Sequence, residues 1–318
     1  MTPGAAVAPP LRDMMDDYLQ VRRALGFKLE GTERLLFAFA DYLHEHGAPS
    51  VTVEHAVAFA TARPGASPRW QALRLSAIRQ FTRWAHLLDP TMQVPPARLL
   101  PARSTRNAPY LYTDSEVEAL VAAATQLRPA IRAATIATLV SLMAATGIRT
   151  GEALGLNLTD FDIPASTLTV TGKYGKTRML PLHPTVQDGL NRYLADRNKF
   201  LPSAQCPALL VSTRGTRLRP QSVHPTFRAL ADQLGMAASS SACRPRLHDL
   251  RHRFAVSTML DAYRFGDDPA ATLPLLATWL GHADPHDTYW YLTGTAELLA
   301  AATQRLQRAT PGSAGERS

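Results

Sequence analysis

The sequence predicts a mainly α protein with a small β-sheet (α+β), divided into two domains. Three observations lead there. Apolar residues recur at helical spacing from residue 11 to 87, from 114 to 146 and through most of 185–309. The clearest alternating stretch, Thr167 to Leu182, is short and contains a glycine turn. Between the first two helical blocks, residues 88–110 hold Pro90, Pro95, Pro96, Pro101 and Pro109 with few periodic hydrophobics, the composition of an extended linker.

Residues 1–10 are Ala/Pro-rich and expected to form a flexible N-terminus. Leu11, Met14, Tyr18, Val21 and Leu25 then trace one helix face, and Gly26 stands where a helix stops. A second helix is expected over 31–47, with Leu35, Leu36, Phe39, Tyr42 and Leu43 inward; Val53, Val57 and Phe59 mark a short third. Ser67-Pro68 supplies an N-cap and a proline at the first helical position, opening a fourth helix that runs to 87. Its apolar face is Trp70, Leu73, Ala77, Phe81 and Trp84, while Arg69, Arg74, Arg79 and Arg83 occupy other positions. Those arginines suit either phosphate contacts or an ordinary solvated helix face.

Beyond the linker, Thr113 and Glu116 have capping-box spacing, and helices are expected over 114–126 and 129–146. Thr167–Leu182 reads as a β-hairpin, followed by a helix near 185–199, a short strand near 208–212 and a helix over 220–235. A Ser/Ala-rich connection at 237–243 leads to helices over 248–262, 270–281, 284–291 and 295–309, with 310–318 as a flexible tail.

The chain has 318 residues and a formal net charge of +8, shared evenly between the two sides of residue 110. Such an excess suits a polyanionic partner such as nucleic acid, and also plain solubility. Cys206 and Cys243 are the only cysteines, so there is no disulfide framework and a reducing cytoplasm is the natural setting. No His/Cys spacing suggests zinc. No apolar run approaches the ~20 residues of a membrane span, and neither a signal-peptide pattern nor a solenoid repeat is present.

Residues 246–291 concentrate reactive side chains: His248 and Arg251, then His282 and Tyr291. Tyrosine is a poor nucleophile at neutral pH, with a reference pKa near ~10, unless positive charge stabilises the phenolate or a base takes its proton. Arginine stays protonated, and its planar fork grips two phosphate oxygens; histidine moves protons near neutrality. This combination suits attack on a phosphodiester. Elsewhere, Arg149 follows the Thr146-Gly147 break with Glu152 close enough to orient it, and Lys173 sits at the hairpin tip. Each residue alone has a plainer role: surface arginine, solvated hairpin lysine, helix-terminal histidine, packed aromatic.

Together, Arg149 with Glu152, Lys173 in a Gly-Lys hairpin, His248-x-x-Arg251, Leu-Gly-His282 and Tyr291 nine residues later resemble the tyrosine recombinases, or phage integrases. The resemblance covers 113–309 by motif and 11–87 by architecture only. The phrase from Tyr289 to Leu299 resembles members carried by transposons and multi-recombinase elements. One departure is a longer stretch between Arg251 and His282, where a longer helix pair or loop is expected.

The resemblance implies an N-terminal helical core-binding (SAM-like) DNA-binding domain at 11–87, a linker at 88–110 and a C-terminal tyrosine-recombinase catalytic domain at 111–309. Tyr291 is then the nucleophile forming a 3′-phosphotyrosyl link, Arg149 and Arg251 clamp the phosphate, and Lys173 protonates the leaving oxygen. His248 assists proton movement, His282 hydrogen-bonds the phosphate or orients its neighbours, and Glu152 supports Arg149. Arg69, Arg74, Arg79, Arg83, Lys176 and Arg178 are candidate DNA contacts. No metal and no nucleotide cofactor are implied. The implied partners are double-stranded DNA with paired inverted half-sites, a homo-tetramer on that DNA and related recombinases of the same element, with no membrane; the implied setting is cytoplasmic and nucleoid-associated. The last helix, with Leu298, Leu299, Ala302 and Leu306 on one side, either docks on a neighbouring protomer or packs within its own chain. Two other activities remain open: a DNA-binding accessory subunit that does not cut, and a relaxing type IB topoisomerase.

Overall fold

The computed structural model describes residues 10–101, 109–172, 175–203, 205–236, 243–282, 288 and 296–309. The chain divides into two compact units, Met1–Arg106 and Asn107–Ser318.

The first unit contains α1 (Leu11–Ala24), α2 (Glu30–Glu45), α3 (Val53–Thr61) and α4 (Pro68–Ala85). Its core joins Met14, Met15, Tyr18 and Leu19 to Leu36, Phe39, Phe59, Leu75, Ile78 and Phe81. Ser67 caps α4 by accepting from the Trp70 amide at 3.3 Å, with Pro68 opening the helix. Two apolar faces differ from expectation. Val21, Leu25 and Leu73 are exposed, while Met15, Leu19, Leu75 and Ile78 fill the core. Both helices are rotated because several partners converge on them, so the buried stripe is wider than one periodic row. Residues 88–101 also differ from a free linker. Met92 is buried in the helical core, the Gln93 amide donates to the Val51 carbonyl at 2.8 Å, and Arg79 donates to the Pro95 carbonyl at 3.0 Å. Proline removes backbone donors but leaves carbonyls, and here side chains of the helices take them up.

In the second unit, α5 (Asp114–Thr125) opens on the expected capping box, Thr113 with Glu116. α6 (Ala130–Thr146) is buried nearly all round and packs against α5, α8 and α10. After it come α7 (Thr150–Gly155), a single 3-10 turn at Leu158–Asp160, and an antiparallel sheet of β1 (Phe161–Asp162), β2 (Thr167–Thr171) and β3 (Thr177–Pro181). The hairpin register pairs Thr167 with Pro181, Leu168 with Leu180 and Thr171 with Thr177. β1 was not predicted, being too short to show a period. α8 (Pro184–Phe200), α9 (Pro220–Gln233), α10 (Asp249–Phe265), α11 (Pro269–Leu280) and α12 (Ala296–Ala309) complete the unit. The expected strand near 208–212 is instead two isolated bridges, Asn157 to Ala208 and Val211 to Arg217. Its apolar run is buried by packing, without a ladder to join. The extra length after Arg251 is taken up as helix, since α10 continues to Phe265 before Gly266 ends it. α12 packs on α10 in the same chain, with Leu298 buried among Val256, Met259, Leu273 and Leu276; Leu299 is exposed. Leu306 and the helix expected at 284–291 lie outside the described side chains, apart from Thr288. The connection expected at 237–243 is described only at Cys243. Among the described residues no helix is long and apolar enough to cross a membrane.

Candidate active site

Two turns and the start of a helix build the site. The first follows α6, where Gly147 ends the helix at φ +64°. A Cβ there would lie 2.5 Å from Phe254 Cδ1, so both backbone conformation and space demand glycine. Arg149 then caps α7. Glu152, three residues on, accepts from the Arg149 amide at 2.9 Å and from its Nη1 at 2.8 Å. This is a local arrangement of the capping-box type, with an arginine in the cap position.

The second element is α10. His248 immediately precedes it, and Arg251 lies in its first turn, fully buried. Arg251 Nη1 donates to the Gly147 carbonyl at 2.9 Å, and its Nη2 to the Leu280 carbonyl at 2.8 Å. The third element is the turn after α11, where Gly281 adopts φ +66° and the His282 amide returns to the Ala277 carbonyl at 3.0 Å. His282 Nε2 lies 2.7 Å from Arg251 Nη2, and its Nδ1 lies 2.7 Å from the Thr288 hydroxyl. A guanidinium only donates, so Nε2 must accept and Nδ1 must carry the proton. The imidazole is thus held in one tautomer from both sides. Arg149 Nη2 reaches the Gly281 carbonyl at 3.5 Å, so both arginines converge on residues 280–282.

Arg178 is part of this assembly rather than of an open surface. From β3 it donates to both Glu152 oxygens, at 2.8 and 3.3 Å, and from Nε to the Trp279 carbonyl at 2.7 Å. Sequence reasoning placed it among DNA contacts. The available signal was strand period: Arg178 shares the inward face with buried Leu180, while Met179 points out. Thr288, fully buried, and Trp279, whose Nε1 donates to the Thr146 carbonyl at 2.8 Å, were not singled out at all.

Electrostatics follow from these contacts. Burial pushes the Glu152 carboxyl up, but hydrogen bonds from Arg178 and from the amide and side chain of Arg149 outweigh it, bringing the pKa down to about 2. Partial desolvation lowers the pKa of His248 below the ordinary imidazole value; the Arg251, Arg246 and Arg149 charges act the same way, against Asp249. His248 is therefore neutral at pH 7. Buried His252 is lowered to about 4, mainly by desolvation.

Lys173 and Tyr291 lie outside the described residues. Gly172 and Lys176 are described, and the Gly172 amide donates to the Lys176 carbonyl at 2.8 Å. Lys176 is exposed. In the first unit, Arg69 and Arg83 are exposed on α4, while Arg74 stacks on Phe59 and Trp70, 3.8 and 4.5 Å from their ring centres. Among the described residues no group of three or more His, Cys, Asp or Glu side chains is placed to hold a metal ion.

The model for the phage integrase family matches residues 111–297. An integrase/recombinase of Sinorhizobium fredii is 40% identical over 304 residues, covering 93% of this chain and 97% of that protein. The tyrosine recombinase XerD of Caulobacter vibrioides is 31% identical over 311 residues, covering 96% and 97%. Among solved structures, a lambda integrase dimer bound to a core site aligns with a TM-score of 0.60 at 19% identity, covering 88% of this chain and 76% of that one. The Tn1549 transposon integrase in complex with a circular intermediate DNA aligns at 0.60 and 16% identity, covering 93% and 99%.

Proposed function

The chain belongs to the phage integrase family, and from that premise we propose that it is a site-specific DNA recombinase working through a 3′-phosphotyrosyl intermediate on Tyr291. The observation that carries this reading is the convergence of Arg149, Arg251 and His282 on the turn at residues 280–282. Two guanidinium groups there suit a phosphate whose non-bridging oxygens gain charge during attack, and His282, accepting from Arg251 at Nε2 and bonded to Thr288 at Nδ1, orients its neighbour.

The Tyr291 oxygen attacks phosphorus, and the bond from phosphorus to the 5′ oxygen breaks. The phenolic proton passes to neutral His248, and the Lys173 ammonium protonates the departing 5′ oxygen. In the second step the 5′ hydroxyl of the exchanging strand gives its proton to the Lys173 amine and attacks phosphorus, while the bond to the tyrosine oxygen breaks and the phenolate takes its proton back from His248. The covalent link conserves the energy of the broken phosphodiester, so this chemistry calls for no nucleotide cofactor. Positive charge comes from the arginines, so it calls for no metal. The partner is double-stranded DNA with paired inverted half-sites, held by four protomers, with related recombinases of the same element as further partners. Residues 11–87 act as the core-binding domain, with Arg69 and Arg83 of α4 contacting phosphates and Arg74 and Arg79 shaping that face; Lys176 does the same beside Lys173.

A nicked suicide substrate, its cleavage positions mapped on the DNA flanking the coding region, tests this. The full chain is expected to form a covalent adduct that is lost in Tyr291→Phe while DNA binding persists. An adduct of equal yield in that variant would falsify the nucleophile assignment. Binding with no adduct by the unaltered chain would make it an accessory subunit.

A further inference from the structure

The hairpin strand that follows Lys173 is tied to the phosphate clamp by one side chain. Arg178 stands five residues after Lys173, on the inward face of β3. Its fork spans both oxygens of Glu152, and its Nε bonds the Trp279 carbonyl, two residues before Gly281. Two glycines lie against this pair. A Cβ on Gly281 would lie 2.9 Å from Arg178 Nη1, and one on Gly172, the residue preceding Lys173, would lie 3.4 Å from Glu152 Oε1. Both residues flanking the reacting groups are thus glycines pressed against the Arg178–Glu152 pair.

Glu152 does not need Arg178 to hold Arg149, because it keeps the Arg149 amide and Nη1 through its own bonds. Leu168, Val170 and Leu180 anchor the base of the hairpin in the core, and Gly172 and Lys176 bond each other at its turn; the Arg178 side chain adds hydrogen bonds that join β3 to Glu152 and to the Trp279 carbonyl beside the clamp. The Arg178 side chain is 14% exposed and Glu152 5%, so the pair is shielded from competing water. A planar, bidentate fork also fixes orientation, which a lysine ammonium cannot do.

We propose that Arg178 is a positioning residue, which through Glu152 and the Trp279 carbonyl holds the Lys173 hairpin in register with the Arg149, Arg251 and His282 clamp, so that leaving-group protonation depends on it. This deepens the recombinase reading and rests on it. It separates two roles in one site: the arginines at 149 and 251 serve the non-bridging oxygens, and Arg178 serves the proton delivered to the bridging one.

The test uses the full chain on two suicide substrates that differ in one atom. One has the natural 5′ oxygen at the scissile phosphate; the other has sulfur in the bridging position, and a thiolate leaves without needing a proton. Arg178→Met is expected to slow cleavage of the oxygen substrate by roughly 10²-fold, the lower end for loss of a positioned acid. Its loss on the sulfur substrate is expected to stay under about tenfold, the pattern also expected of Lys173→Ala. Arg178→Lys, which keeps the charge without the fork, is expected to fall between, with the same preference for sulfur. This conservative variant keeps the experiment decisive if the methionine variant fails to fold. Equal losses on both substrates, or no loss on either, overturn the positioning role while leaving the recombinase reading in place. An unaltered chain that forms no adduct on either substrate overturns both.

Discussion

Arg149 and Arg251 are two arginines placed at one turn by opposite means. Arg149 is held locally: its partner Glu152 lies three residues away and satisfies both its amide and its guanidinium. About a third of its side chain is exposed, at 33%. Arg251 is held remotely: it is fully buried, and its donors go to the Gly147 and Leu280 carbonyls, 104 and 29 residues away in sequence. Arg149 can therefore be lost with little effect on the fold, whereas Arg251 is also the hydrogen-bond partner of two helix ends. The same guanidinium group is thus held by its own turn in one place and ties two helix ends together in the other.

The sharpest way to break this contrast is to truncate each arginine. Both Arg149→Ala and Arg251→Ala are expected to lower strand cleavage by on the order of 10²–10³-fold, as for loss of one preorganised donor. Their stabilities should diverge. Arg251→Ala orphans two buried carbonyls, at roughly 1–3 kcal/mol each, while Arg149→Ala is expected to cost about 1 kcal/mol or less because Glu152 keeps Arg178. Equal denaturant midpoints for the two variants would erase the distinction.

Glu152 sharpens the comparison through pH. Its folded pKa of about 2 lies below the ordinary 4.5, so its contribution to stability is complete above about 4.5 and is lost as pH falls through about 2. Thermal unfolding followed from pH 5 downward is expected to show falling Tm. In Glu152→Gln the neutral amide removes that dependence, so the variant's profile should be flatter. A parallel decline in both proteins would refute the assignment. The smallest effect is expected at the purely local cap of α5. Thr113→Ala should cost about 1 kcal/mol of stability and leave cleavage of the suicide substrate unchanged, because Thr113 contacts only its own helix start.

Legibility in the sequence followed the same division between local and remote. The capping box at Thr113, the Ser67-Pro68 start and the β-hairpin itself all appeared as expected, since each depends on residues within a few positions. The inward face of α4 was only partly placed, because which flank of an arginine-rich helix is covered depends on what packs there; Phe81 and Trp84 turn inward as expected, but Leu73 faces out and Leu75 in. Arg178 shows the limit most plainly. Its sequence neighbours describe an exposed basic hairpin, but Glu152, 26 residues earlier, and Trp279, 101 later, draw it inside.

What the sequence determined by itself was the order of the main helices and the hairpin, because period and capping are short-range properties. What only the tertiary structure decided was which carbonyls Arg251 bonds, the tautomer of His282 and the sharing of Glu152 between two arginines. Those outcomes depend on distances between segments as much as 104 residues apart. Such distances arise when helices and sheet bury a common core, and no local pattern encodes them.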